Sequence, residues 1–186
     1  TDGLAGDLGG FEMAPDLDQV SVFGGGQSIG NDFEGTLYHL LHDRRGGLAI
    51  MDRWQFQEVL REYARRGFKK SVLARYYRSP QKLYTTHFMI PPIPAPMAPD
   101  VFEAPELESY FFFVNYEGKL VYKDDITFRF WGVGDAYISV YVDGRHVLLN
   151  GWDGRLEYLD YWQSSGANSD RYFLGNQLMH VGDWIE

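Results

Sequence analysis

Ala136–Leu149 reads AYISVYVDGRHVLL. Ala136, Ile138, Val140 and Val142 fall on one side of an extended chain, and Tyr137, Ser139 and Tyr141 on the other. Asp143-Gly144 follows at once, and that pair supplies the positive φ angles of a tight hairpin turn, so the chain is expected to return through Arg145–Leu149. A period-two run, a two-residue turn and a second apolar run make an antiparallel hairpin. Strands of this kind recur nearby. Ser109–Tyr116 (SYFFFVNY) ends at Glu117-Gly118, Leu120–Tyr122 is a short extended piece, and Ile126–Trp131 (ITFRFW) follows Asp124-Asp125. Trp152-Asp153-Gly154 marks one more turn. Short strands separated by such turns predict a mainly β fold, an antiparallel β-sandwich preceded by a short helical segment.

Upstream the periodicity changes. Asp52 is a candidate N-cap with Gln55 three residues on. Phe56, Val59, Leu60, Tyr63 and Ala64 then recur at helical spacing until Gly67 supplies a stop. A second short helix is expected over Ser71–Tyr77, before Ser79-Pro80. Gly35–Leu41 (GTLYHLL) fits a short strand or the start of a helix, and Leu83–Ile90 (LYTTHFMI) reads as a strand. Pro91, Pro92, Pro94, Pro96 and Pro99 then predict an extended, stiff connector without helix. The organisation expected is a Gly/Asp-rich arm over 1–34, a basic helical elaboration over 35–82 and a sandwich over 83–186.

Charge is unevenly spread. The 186 residues carry a net charge of −9, which argues against a surface built to neutralise nucleic-acid phosphates. Leu41–Lys82 nevertheless holds eleven of the seventeen Lys and Arg against four acids, leaving that segment at +7 and the rest at −16. Either the segment lies against an acidic sandwich in the same molecule or it is an exposed patch for an anionic partner. No cysteine is present, so disulfides, thiolate metal sites and cysteine nucleophiles are excluded. No run reaches the ~18 apolar residues of a membrane span. Thr1–Gly10 has neither the basic nor the apolar region of a signal peptide.

The run Tyr116–Gly144, YEGKLVYKDDITFRFWGVGDAYISVYVDG, resembles the protective-antigen-type domain, a β-sandwich of toxin components, yeast adhesins and bacterial glycosidases. Gly118–Val121, Ile126-Thr127-Phe128, Gly134-Asp135 and Val142-Asp143-Gly144 stand for its successive elements. The resemblance implies an exported or cell-envelope protein that binds glycan or protein, outside the cell or in the periplasm. In sugar-binding members it implies a calcium held by two adjacent aspartates. Here Asp135 is followed by Ala136, so the hard cation would be one carboxylate short and no cofactor is expected. The resemblance also implies a further closing strand, of which Val181–Glu186 (VGDWIE) looks like the beginning. An open sheet edge would then recruit the lead-in Phe11–Phe23, whose Val20-Ser21-Val22-Phe23 has strand chemistry, a second copy of the chain or another protein.

Chemistry-bearing motifs are few. Gly24-Gly25-Gly26 lacks the Lys-Ser/Thr of a phosphate loop, and no Gly-X-Ser-X-Gly elbow or HExxH occurs. His39 and His42, three apart with Asp43 beside them, would share one face of a helix as metal ligands do, but without an HExxH they read as ordinary surface or hydrogen-bonded histidines. Glu103, Glu106, Glu108, Asp124 and Asp125 read as solvated loop acids rather than a hydrolytic pair. Trp131, Trp152, Tyr161 and Trp162, near predicted loops, are candidates for a stacking platform beside Asp135. The expected function is therefore non-catalytic: a glycan- or protein-binding module. The alternatives are an assembly module that docks through its basic helices and open edge, and an accessory domain of a glycoside hydrolase.

Overall fold

The computed structural model describes residues 20–134, 137–151, 171–174 and 177–186. Among the described residues the chain is mainly antiparallel β with two α-helices. Its contacts divide it into two compact units, Thr1–His39 with Tyr77–Lys119 and Leu40–Tyr76 with Leu120–Glu186.

The first unit is organised on a sheet. Strands β1 (Val20–Ser21) and β2 (Gly24–Gly25) form a small hairpin, and β3 (Phe33–Asp43) is the long strand that runs out of this unit. Then come β4 (Tyr76–Arg78), β5 (Leu83–Thr85) and β6 (Phe112–Glu117). The strand order is β1-β2-β5-β3-β4, with β6 paired to β3 from Glu34↔Glu117 to His39↔Phe112. Gly35–Leu41 is thus strand and not helix. Its apolar run LYHLL fits either period, and the pairing with β6, which stacks Tyr38 on Phe113 at 5.3 Å, decides between them. Phe23, Leu37, Leu83, Phe102 and Leu107 form the core of this unit. Val20–Phe23 is employed here: Phe23 meets Phe102 edge-on at 6.1 Å, and its carbonyl accepts the Tyr116 hydroxyl at 2.8 Å. Burial pushes the Tyr116 phenol pKa well above its ordinary range.

The proline-rich connector does contain a helix, contrary to expectation. Helix α2 (Met97–Val101) carries Pro99 at its third position. The N–H groups of a first turn have no intrahelical acceptor, so a proline there removes nothing the helix needs.

The second unit holds helix α1 (Arg53–Arg65) and most of the remaining strands. Both ends of α1 are set by its own sequence. Asp52 and Gln55 close a reciprocal capping box. At the far end Gly67 N–H donates to Ala64 O and Phe68 N–H to Tyr63 O, both at 2.9 Å, the double bond pattern of a Schellman stop. Gly67 has the positive φ of 64° that this stop requires. Phe56, Leu60, Tyr63 and Ala64 are buried. The second predicted helix is instead a 3₁₀ turn, Lys70–Leu73, after which the chain extends into β4.

The hairpin that the sequence announces joins β8 (Tyr137–Val142) to β9 (Arg145–Gly151). Asp143 and Gly144 both take positive φ, 45° and 86°, as a type I′ turn demands. The alternation breaks once. Val140 pairs with Leu148 but Tyr141 with His146, so Val147 is an extra residue in β9. Its carbonyl accepts the Asp183 N–H at 2.7 Å. Ala64 and Leu149 pack together with Phe68 and Tyr137, joining α1 to the hairpin.

Strands β7 (Trp131–Gly132), β10 (Arg171–Leu174) and β11 (Gln177–Val181) form the remaining sheet, in the order β10-β11-β7. The predicted strand Ile126–Trp131 contributes only a bridge from Phe128 to Ile185 before β7, and Leu120–Tyr122 forms no strand.

Candidate functional site

Two ladder contacts build the face on which the site stands. Trp131 pairs with Val181, and Phe128 bridges Ile185, so the segment 182–184 holds one residue more than the two facing it. The extra length falls at Gly182 and Asp183. Gly182 N–H donates to Phe130 O at 2.8 Å while the next N–H turns to Val147. Three backbones converge there: a Cβ on Gly182 would lie 2.5 Å from Val147 O and 3.2 Å from Phe130 O, so only glycine fits without a shift.

This bulge sets Trp184 beside Arg129. Arg129 and Trp131, two apart in an extended segment, project to the same side. The Arg129 guanidinium carbon sits 4.5 Å from the Trp184 ring centroid and 5.8 Å from that of Trp131. Both distances lie within cation–π range. Each tryptophan is 53% exposed. Phe128 and Phe130, the alternate residues, meet each other edge-on at 5.7 Å.

Next to Trp184 lies a cleft of about 430 Å³. Val142 and Ile185 supply apolar lining, and Asp143, Arg145 and Glu186 supply charge of both signs. Arg145 donates to the Trp184 carbonyl, which ties the hairpin end to the segment carrying the tryptophan.

Around Phe68 the same kinds of side chain make a second cluster, with His146 buried in it. Phe68 contacts Tyr63 at 5.0 Å, Tyr141 at 5.0 Å and the His146 ring at 5.4 Å. His146 Nε2 is 2.8 Å from the Ser139 hydroxyl, and burial holds its pKa down at about 4. Its imidazole is therefore neutral at physiological pH. Elsewhere His39 Nε2–H donates to Glu108 O at 2.8 Å, which fixes that tautomer because a carbonyl can only accept. His42 Nδ1 faces Gly46 O at 3.4 Å. The Asp43 carboxylate accepts the Arg45 and Gly47 N–H groups, and these hold its pKa below the usual range.

Of the residues expected from sequence to bind ligand, Trp131 stands on the exposed face. Asp135, Trp152, Tyr161 and Trp162 lie outside the described residues. Arg129 and Trp184 were not anticipated. The alternation Phe128-Arg129-Phe130-Trp131 signals a face carrying Arg129 and Trp131, but placing Trp184 there needs the bulge at Gly182, which is not a local signal. Among the described residues no helix is long and apolar enough to cross a membrane. Comparison with protein-family profiles, curated proteins and solved structures finds no match to the chain.

Proposed function

We propose that the chain is a non-catalytic binding module of an exported or cell-envelope protein, and that it takes a glycan on the face formed by Trp131, Arg129 and Trp184. The observation that carries this reading is the pair of half-exposed tryptophans sharing one guanidinium beside a polar cleft. A sugar ring has an apolar C–H face and a polar rim. An indole plane matches the first, and the N–H edges of a stacked guanidinium are directed at the second. The exported setting and the wider sandwich assignment rest on the resemblance of Tyr116–Gly144 to protective-antigen-type domains.

The test is titration of the full chain against a panel of soluble oligosaccharides, with Trp184→Ala alongside. Binding lost or weakened in the variant at unchanged melting temperature supports the reading. Binding to no member of the panel would sink it. Calcium is expected to leave both affinity and melting temperature unchanged, because Ala136 removes a carboxylate from the pair that a calcium site would use. A rise of several degrees in millimolar calcium that disappears in Asp135→Ala would contradict this.

A second reading, an assembly module docking through basic residues, draws on a different observation. Arg61 pairs with Glu58, and Arg65 and Arg66 pair with Glu62, so α1 neutralises much of its own charge. Arg44 and Arg75 are both exposed and are brought together by a 3.1 Å backbone bond.

A further inference from the structure

Building on that glycan-binding reading, we infer that the ligand is an uncharged oligosaccharide, lying along a track that runs from Trp131 over Trp184 into the cleft at the β8–β9 turn. The length follows from the layout. Trp184 belongs both to the aromatic pair and to the cleft lining, so the two binding surfaces are continuous through it. The two distances to Arg129 place the tryptophan centroids no more than 10.3 Å apart. A single sugar stacked on one indole leaves the other indole and the cleft unused. A chain of several sugars can use all three.

The absence of ligand charge follows from the balance of the track. Among the described residues, Arg129 and Arg145 are its cations, and Asp143 and Glu186 its carboxylates. Arg129 already lies against two ring faces, and Arg145 already donates to the Trp184 carbonyl. Among the described residues the two cations are matched by two carboxylates, so the track carries no net positive charge to hold a uronate or a sulfate. Hydroxyl groups donate and accept at once, and donors alternating with acceptors suit them. Electrostatic steering contributes little in such a site, so affinity should hardly respond to salt.

The experiment is calorimetric titration of the full chain with neutral oligosaccharides of increasing length and with uronate-bearing and sulfated ones. Each titration is run at about 0.05 M and about 0.5 M salt, a change that shortens the screening length severalfold. The expected result is binding to a neutral series that tightens with length and changes by less than about twofold with salt. Trp131→Ala should weaken the longer ligands by about two- to tenfold, the worth of one stacked ring, and leave the shortest binder unchanged. Trp131→Phe, which keeps an aromatic plane, should recover part of the loss and guards against a folding defect in the alanine variant. Binding confined to anionic glycans and falling steeply with salt would overturn the inference while leaving the glycan reading intact. Equal affinity for a monosaccharide and its longer chain would do the same. Binding to no glycan at all removes both.

Discussion

Two aromatic clusters in the same unit carry a nitrogen base each, and they treat it in opposite ways. Around Phe68, Tyr63 and Tyr141 the base is His146, 3% exposed and kept neutral by its surroundings. Around Trp131 and Trp184 the base is Arg129, whose charge is permanent and whose ring partners stand half in water. Composition does not separate the two. What separates them is the depth of the nitrogen base: His146 is buried beside the buried Tyr63, with Tyr141 at the rim of the cluster, whereas Arg129 lies between two half-exposed rings. A buried ionisable group gives up its charge, whereas a group at a wetted surface can keep a cation against a π face without a desolvation cost. The first cluster is therefore a stability element and the second is available for recognition.

The largest expected effect tests the packing of α1. Leu60 is buried on the packed face of α1, and Leu60→Ala is expected to cost about 2 to 5 kcal/mol of unfolding free energy. A change under about 0.5 kcal/mol in denaturant melts, typical of a surface position, would mean that α1 does not pack through Leu60.

Acid should separate the clusters next. His146 has a folded pKa of about 4, below the ordinary value of 6.5, so between these values the unfolded chain takes up a proton that the folded one refuses. Its contribution is complete above pH 6.5 and declines as pH falls towards 4, a total of about 3 kcal/mol; below 4 it changes no further. Unfolding free energy measured across this window in wild type and His146→Gln should differ in slope, with the variant flatter. Equal slopes would mean that His146 is not held neutral.

The joint between the clusters is Gly182. A Cβ there meets the Val147 carbonyl at 2.5 Å, so Gly182→Ala should cost about 1 to 3 kcal/mol and should also weaken ligand binding by displacing Trp184. Normal stability and normal binding in that variant would show that the bulge does not position the tryptophan. The smallest expected effect is on the wet cluster: Trp184→Ala should alter stability by less than about 0.5 kcal/mol in denaturant melts. A larger loss would reassign Trp184 from recognition to core.

The parts of this fold legible in the sequence are those whose signal is local. Asp52 with Gln55, Gly67, and Asp143-Gly144 each declare a cap, a stop or a turn through their own chemistry, and each appears where expected. Mainly antiparallel β structure was legible for the same reason. The misreadings fall where a partner decides. Ser71–Tyr77 has apolar spacing suited to a helix but becomes a 3₁₀ turn and then a strand of the β3 sheet. Ile126–Trp131 alternates well, yet only Phe128 and Trp131 find ladder partners. The site was half legible. Trp131 announced itself as an aromatic near a predicted loop. Arg129 and Trp184 acquire meaning only once two bulges, at Val147 and near Gly182, have set the register, and bulges leave no reliable local mark.

Phe68 is a member of two structures at once. Its N–H completes the stop of α1 through Tyr63 O, and its ring, held at a φ of 57° that a bulky residue rarely adopts, is packed against Tyr141 and His146 of the hairpin. The end of the helix is thus secured by residues more than seventy positions away in the chain. Such an arrangement makes the two elements one cooperative folding unit. Amide protons in the last turn of α1 and those along Tyr141 and His146 should accordingly exchange with solvent in the same opening event.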